Sequence, residues 1–375
     1  MIDPDDVIGD AVERLEWDER DEDETPSSRW RQMTRRTALT GGAAGIAAAV
    51  LEACGSSKPG SASAGSGAAS VFGSGTSYRF TIVNHVTTNV FFTPTQNGAA
   101  DACKLLGCSY QWTGSQTNNI SEMVNAINSA VTSGVNGIAT SLIDPTAFNK
   151  PVAAALAAGI PVVAYNADAP GNPRLAYIGQ DLYLAGQQMG DHIVALVPSG
   201  DVAIFIATPG SLNLQPRVNG ALATLKAHPA ITPHVIASGA ATPAELTTIN
   251  SYAVSHPSTK GLFAVDGGST QTVAQVIQRQ GLNAKGVKGG GFDLTPITEQ
   301  LLKAGDIQFT IDQQPYLQGF FPILELYLYN VSQKLTGTAD VNTGLKFVTP
   351  STVAPYVTTK SRYEGTSTAV GVQKV

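Results

Sequence analysis

The sequence predicts an α/β protein built from two doubly wound parallel-sheet lobes that are joined by a three-strand hinge. From residue 78 onward, short apolar runs alternate with helical stretches of roughly a dozen residues. This alternation indicates parallel strands that are covered by helices on both faces. The same rhythm occurs twice along the chain, and 375 residues are enough for two lobes of ordinary domain size.

The N-terminal part of the chain differs in composition from the rest. Residues 1–34 are acidic and poor in apolar side chains, which predicts a disordered extension. In residues 35–54, the pair Arg35-Arg36 precedes a short apolar run that ends at Cys54, an order typical of an export signal. Residues 55–77 are rich in Gly, Ser and Ala, which predicts a flexible linker. The alternatives are an uncleaved anchor and an arginine pair on a cytosolic tail.

The predicted export signal resembles two known types. The arginine pair resembles a twin-arginine signal, which implies export in the folded state. Leu51-Glu52-Ala53-Cys54 resembles a lipoprotein processing box, which implies that Cys54 is acylated and that the chain is a lipoprotein. The linker would then hold the folded part of the chain near a cell membrane.

Charge and cysteine content exclude several classes of function. Residues 1–53 carry 13 acidic and 6 basic side chains, which leaves 16 acidic and 17 basic side chains in the remainder. A nearly neutral body lacks the basic face that nucleic acid requires. Three cysteines cannot form a disulfide framework, and no metal-ligand spacing is present. Cys103 and Cys108 could form a local disulfide or remain buried thiols, and we favour thiols.

Local signals define the elements of the first lobe. Gly107, Gly134 and Gly159 each follow a helical stretch, as glycines at helix C-termini do. The pattern predicts strands at 78–84, 108–112, 135–141, 160–165 and 175–179, and helices at 94–106, 119–132 and 146–158.

The second lobe begins where this rhythm changes, at Asp181, a good N-cap residue. The pattern predicts strands at 202–207, 232–237, 261–265, 287–292, 307–311 and 345–348, and helices from 181, at 296–303 and at 315–333. The predicted first lobe is 78–180 plus 313–341, the second is 181–312 plus 342–350, and 351–375 is a tail that wraps the surface or frays. Crossings near 179–181, 312–314 and 340–343 would form a hinge about which rigid lobes can close.

Residues 289–319 place two polar side chains where open α/β sheets bind ligands. One predicted strand ends at Phe292-Asp293, and the next ends at Asp312-Gln313. Asp293 and Gln313 would therefore lie at the carboxyl ends of two strands that share one sheet edge.

This stretch, GGGFDLTPITEQLLKAGDIQFTIDQQPYLQG, resembles the second-lobe and hinge segment of periplasmic sugar-binding proteins of the ribose-binding type. The resemblance covers residues 78–350 and implies the type I periplasmic-binding-protein fold. In the first lobe it implies ligand contacts from Asn89, Phe91 and Phe92, because the family has an asparagine and two phenylalanines at this spacing. Aromatic rings pack on the C–H faces of a sugar, and amides bind its hydroxyls.

The first-lobe residues have alternatives. Both phenylalanines could be core residues, and for Phe92 the core and the cleft are equally open. Asn166 and Ala167 stand where many relatives carry an aspartate and an arginine. The missing charge pair weakens the case for ribose, although Asn166 can still bind a hydroxyl.

In the second lobe, the resemblance implies ligand contacts from Arg217, Asp266, Asp293 and Gln313. Carboxylates accept hydrogen bonds from hydroxyls, and a guanidinium donates to them. Alternatively, the two aspartates could cap helices, Arg217 could lie on a helix surface, and Gln313 could bond the hinge backbone. Together with the aromatic residues, the set favours a binding cleft.

The resemblance implies an extracytoplasmic receptor that binds a monosaccharide or polyol and delivers it to the permease of an ABC importer. No G-x-x-x-x-G-K-[ST] motif is present, so another subunit must bind ATP. We expect a monomer without cofactor or metal, held to the membrane through Cys54. The alternatives are a sensory protein that passes a sugar-like signal to a membrane receptor, and a glycoside-acting enzyme that uses Asp266 and Asp293.

Overall fold

The computed structural model describes residues 77–358. The predicted N-terminal extension, export signal, Cys54, nearly all of the linker and the end of the C-terminal tail lie outside the described residues. All described residues belong to a single compact unit of the chain.

Twelve strands occur in the described range. In chain order they are β1 Arg79–Asn84, β2 Ser109–Gly114, β3 Gly137–Thr140, β4 Val162–Tyr165, β5 Tyr177–Gly179, β6 Gly200–Ile206, β7 Ile231–Ala237, β8 Gly261–Ala264, β9 Lys288–Phe292, β10 Phe309–Asp312, β11 Val341–Asn342 and β12 Lys346–Val348.

Ten α-helices and two short 3₁₀ turns connect these strands. The helices are α1 Thr93–Leu106, α2 Ile120–Thr132, α3 Asn149–Ala157, α4 Leu182–Leu196, α5 Gln215–Leu225, α6 Thr242–Ser255, α7 Gly267–Arg279, α8 Pro296–Ala304, α9 Leu317–Val331 and α10 Ala354–Thr358, and the 3₁₀ turns are Val90–Phe92 and Asn283–Lys285. Helix α3 begins three residues later than predicted. The Asp144 carboxylate there accepts hydrogen bonds from the amides of Thr146 and Ala147, which forms a turn instead of a helical start.

The first lobe is built on a six-stranded sheet with the order β11-β5-β4-β3-β1-β2. All of its strand pairs are parallel. Helices α1 and α9 cover one face, where Phe80 and Ile82 of β1 are buried. Helices α2 and α3 cover the other face, where Val83 is buried. Burial on both faces explains why the strands are apolar throughout.

The second lobe repeats this plan with the order β12-β10-β9-β8-β6-β7. Its pairs are parallel except for β12, which runs antiparallel to β10. Helices α4 and α5 cover one face, and α6, α7 and α8 cover the other. The observed architecture confirms the predicted fold class, two doubly wound sheets of α/β type.

The chain passes between the two sheets three times. The passages lie between β5 and α4, between β10 and α9, and between β11 and β12. The third passage therefore lies at 343–345, because residues 341–342 still pair with β5. The hydroxyl of Thr343 donates to the Gln313 carbonyl (2.9 Å), and the Gln180 amide donates to the Gly344 carbonyl (3.2 Å). The three passages are thus hydrogen-bonded to one another.

The beginning of the C-terminal tail packs on the second lobe. Val353 is buried in the core of that lobe, and the Tyr356 hydroxyl donates to Asp312 (3.3 Å).

Cys103 and Cys108 are free thiols, the first buried and the second half-buried. Within residues 77–358, no helix combines the length and apolarity that crossing a membrane requires.

Candidate ligand-binding site

A cavity of about 450 Å³ lies at the carboxyl ends of the strands, between the two lobes. Its lining residues follow β1, β2, β4, β6, β7, β8, β9 and β10, as the topology of doubly wound sheets requires. All eight residues predicted to contact a ligand line this cavity: Asn89, Phe91, Phe92, Asn166, Arg217, Asp266, Asp293 and Gln313.

The first lobe contributes an aromatic wall. The Asn89 carboxamide accepts a hydrogen bond from the Phe91 amide (2.9 Å) and so caps the 3₁₀ turn Val90–Phe92. Phe91 is half-buried, whereas Phe92 is only 2% exposed and packs in the core against Trp112. The rings of Phe91 and Phe92 meet edge to face, with centroids 4.8 Å apart. Phe92 is thus a core residue that also supports Phe91 at the cavity wall.

A network of amides connects the lobes at the base of the cavity. The Asn166 amide donates to the Gln313 side-chain carbonyl (3.3 Å), and the Gln313 amide donates to the Asp293 carboxylate (2.6 Å). Gln318 donates to the same Gln313 oxygen (3.1 Å). Gln313 therefore bonds side chains of both lobes, in addition to the hinge contacts of its backbone. Asn166 and Asp293 both have positive φ angles, 64° and 72°, a conformation that Asn and Asp tolerate better than most residues.

Arg217 lies at the centre of the second-lobe wall and is only 1% exposed. Its guanidinium stacks 4.1 Å from the Phe292 ring centroid and donates to the Val265 carbonyl (2.9 Å) and to Gln180 (3.2 Å). Its Nε is buried and has no hydrogen-bond partner among residues 77–358. Burial lowers the pKa of Arg217, and the charge of Asp293 opposes that shift.

Close packing of α4 against α5 determines how deeply Arg217 is buried. Gly186 of α4 faces the Arg217 backbone, and a Cβ at Gly186 would come within 2.1 Å of the Arg217 carbonyl oxygen. Gly220 of α5 faces Tyr183 in the same way, with its carbonyl oxygen at 2.1 Å. These glycines let α5 approach α4 closely enough to bury the guanidinium beside the cavity.

The two carboxylates have different local roles. Asp266 is the N-cap of α7, and its carboxylate accepts from the Ser269 amide (2.9 Å) and the Ala207 amide (3.1 Å). Asp293 caps no helix, because Thr295 is the N-cap of α8. Burial raises the pKa of both aspartates, that of Asp293 to about 6, while the Arg217 charge opposes the shift. Asp266 is therefore both a cap and a cavity residue, and Asp293 faces the cavity.

The cavity residues that were not predicted from the sequence include His85, Asn213 and Glu245. His85 follows the last residue of β1, so the sheet-edge argument applied to β1 would have found it. One ring nitrogen lies 3.1 Å from the Ser141 hydroxyl and the other 3.3 Å from the Asn213 amide of the opposite lobe. Burial lowers the pKa of His85 to about 4, so the ring is neutral at pH 7. Asn213 lies in the loop between β6 and α5, and Glu245 lies in the first turn of α6, and the sequence pattern carries no comparable signal at either position.

A family model described as a periplasmic binding protein domain matches residues 80–329. The chain belongs to the periplasmic binding protein family. Membership confirms the predicted resemblance and makes this chain an extracytoplasmic solute-binding protein rather than an enzyme, as predicted. The alternative in which Asp266 and Asp293 form a glycosidase pair is therefore set aside.

Individual relatives agree with this membership. The xylose/arabinose-binding protein XylF of Sulfolobus acidocaldarius is 50% identical to this binding protein over 307 residues, which cover 78% of this chain and 76% of XylF. The ribose import binding protein RbsB of Salmonella typhimurium is 27% identical over 237 residues, which cover 60% of this chain and 76% of RbsB.

The fold is similar to those of solved binding proteins. An ABC transporter solute-binding protein from Burkholderia graminis, solved with D-arabinose, has a TM-score of 0.70 and 27% identity, over 74% of this chain and 97% of its own. A carbohydrate transporter solute-binding protein from Agrobacterium radiobacter, also solved with D-arabinose, has a TM-score of 0.68 and 26% identity, over 75% and 97%.

Proposed function

We propose that this protein is the extracytoplasmic receptor of an ABC importer for a pentose, and that it binds the sugar in the cavity between its lobes. The observation that carries the proposal is the set of groups around that cavity. One buried guanidinium, two carboxylates and several amides meet there beside an aromatic ring. Such a set can donate to and accept from many hydroxyls at once.

The charges favour a neutral ligand. Arg217 faces two carboxylates, so a phosphorylated or carboxylated sugar would meet repulsion from Asp266 and Asp293. A hydroxyl oxygen can accept from the unpartnered Nε of Arg217 while its proton is donated to a carboxylate. A buried donor without a partner is costly, so supplying that partner adds to the affinity. Phe91, half-buried at the opposite wall, offers its ring to the C–H face of the sugar.

The choice of a pentose rests on the relatives. The relative at 50% identity is named a xylose/arabinose-binding protein, and two solved structures of similar fold contain D-arabinose. Asn166 and Ala167 remain different from the charge pair of ribose-binding relatives, which favours xylose or arabinose over ribose.

A thermal-shift panel tests this function. The panel compares D-xylose, L-arabinose, D-arabinose, D-ribose, D-glucose and xylitol, with xylose 5-phosphate as the charged control. A ligand present at 100 times its dissociation constant adds about 2.7 kcal/mol to the free energy of unfolding. We expect xylose or arabinose to raise the melting temperature and the phosphate to leave it unchanged. A panel in which no neutral sugar shifts the melting temperature would contradict the proposal.

We further propose that residues 35–54 direct export and that Cys54 carries the lipid anchor, although both lie outside the described residues. The arginine pair, the apolar run and the cysteine support this proposal by their order. Mass spectrometry of the membrane-bound protein should find an acylated N-terminal peptide that begins at Cys54. A mature protein that begins elsewhere and carries no lipid would exclude the anchor and leave the sugar-binding proposal untouched.

A further inference from the structure

Glu245 is a third acidic side chain at the cavity, and neither helix capping nor an ion pair explains it. It lies in the first turn of α6 and is only 2% exposed, and it lines the cavity. One carboxyl oxygen accepts a hydrogen bond from the Ser269 hydroxyl (3.2 Å). The other, Oε2, is buried and has no hydrogen-bond partner in the described part of the chain. A buried polar atom of this kind requires an explanation.

A glycine makes room for this carboxyl group. A Cβ at Gly268 would lie 2.6 Å from one Glu245 oxygen and 2.7 Å from the other, closer than real Cβ atoms approach. Gly268 lies in the first turn of α7 and does not have a positive φ angle, so its backbone does not require glycine. The absence of a side chain at Gly268 therefore leaves room for the Glu245 carboxyl group beside the cavity.

The surroundings of Glu245 favour its protonated form. Burial, followed by the charge of Asp266, raises the pKa of Glu245 to about 8; a direct side-chain interaction with the Asp266 carboxyl group adds to the rise, and the hydrogen bond from the Ser269 hydroxyl opposes it. Asp266 is the acidic group that faces it from α7, and Arg217 and Asp293 act in turn on Asp266. At neutral pH Glu245 therefore carries a proton, while the charge of Arg217 opposes the rise in the pKa of Asp266.

We propose that Glu245 contacts the ligand as a neutral carboxylic acid and, with Asp266, selects one hydroxyl of the sugar. The hydroxyl donates its proton to the Asp266 carboxylate, and its oxygen accepts from the acid O–H of Glu245. Ala240, Ala241, Gly267 and Gly268 also line the cavity, so none of these four residues places a large side chain between this pair and a ligand. This inference rests on the sugar-binding function proposed above.

The inference predicts a specific pH dependence of binding. Above pH 8 Glu245 loses the proton that it donates, and a second negative charge appears beside Asp266. We expect the dissociation constant for D-xylose or L-arabinose to rise about tenfold or more between pH 6.5 and pH 9.5. Glu245→Gln cannot ionise, and its amide still donates. That variant should bind with an affinity close to that of the wild type at pH 6.5 and keep it at pH 9.5.

Isothermal titration calorimetry with D-xylose and L-arabinose at both pH values tests this inference. Glu245→Ala removes the contact and should weaken binding about tenfold at pH 6.5. The matched control is Glu122→Gln, an exposed glutamate in the first turn of α2, which should follow the wild type at both pH values. The melting temperature of each unliganded variant is measured alongside, since a purely structural residue would lower that temperature without changing the affinity.

The outcomes separate the two proposals. If the wild type binds a pentose and Glu245→Ala binds it equally well, the role of Glu245 is overturned and the sugar-binding function stands. Parallel pH profiles for the wild type and Glu245→Gln would overturn it as well. If the wild type binds neither pentose, both the function and the role of Glu245 fail.

Discussion

At the scale of single residues, the polar groups that serve ligand binding at the cavity lower the stability of the unliganded fold. Asp293 is buried with a pKa raised to about 6, and Arg217 is buried with an unpartnered Nε. Both groups would be more stable in water, so the unliganded fold bears the cost of holding them at the cavity. Three neighbouring hinge and cavity residues, Asn166, Asp293 and Gln314, also have positive φ angles. Such conformations concentrate at functional sites.

The buried Asp293 leads to a prediction about stability. Its folded-state pKa lies above the ordinary value of 3.8, so its contribution to stability is present below about pH 3.8 and is lost as the pH rises through 6. Asn cannot ionise. The free energy of unfolding of Asp293→Asn should therefore exceed that of the wild type at pH 7 by on the order of 1–2 kcal/mol, and should not exceed it at pH 3.5. Thermal unfolding of the unliganded proteins at the two pH values measures this difference.

The same substitution should weaken pentose binding, because the amide cannot accept from hydroxyls as a carboxylate does. Asp191→Asn, at an exposed position of α4, is the matched control and should change neither property. An Asp293→Asn protein that melts lower than the wild type at pH 7 would mean that the carboxylate stabilises the empty fold.

At the scale of elements, the sequence pattern predicted what the local rules control. The helix that begins after Asp181 was predicted from an N-cap residue, and Asp181 does accept from the Leu184 amide (2.9 Å). The sheet edge that carries Asp293 and Gln313 followed from the ends of two strands. These features depend on neighbouring residues, so one sequence is sufficient to predict them.

Contacts between distant elements could not be predicted in this way. The sequence around Arg217 contains nothing that distinguishes a buried position from a position on the surface of α5. Its burial depends on Gly186, which lies on α4 and precedes α5 in the chain, and on the ring of Phe292. Glu245 is brought to the cavity by the packing of α6 on α7, beside a glycine 23 residues away. Such pairings are properties of the folded chain, not of a local pattern.

At the scale of the whole molecule, two sets of contacts hold the lobes together. The hinge passages are bonded to one another through Gln180 and Thr343. In a second set, the Leu212 amide of the second lobe donates to the Ile143 carbonyl of the first (3.0 Å), and Asn213 meets His85. Because His85 and Asn213 line the cavity together with Gln313 of the hinge, a ligand within it would contact both lobes. Closure about a hinge is the motion that this arrangement permits.

The central claim, that one sugar binds between the lobes against Arg217, is tested most directly by calorimetric titration of Arg217→Met. Methionine keeps much of the buried volume, and replacing a buried charge with an apolar residue need not destabilise a fold. The control is Arg279→Met, at an exposed position of α7. We expect the wild type and the control to bind one pentose per chain, and Arg217→Met to bind about a hundredfold more weakly or not at all. Equal affinity of a folded Arg217→Met protein would contradict the account.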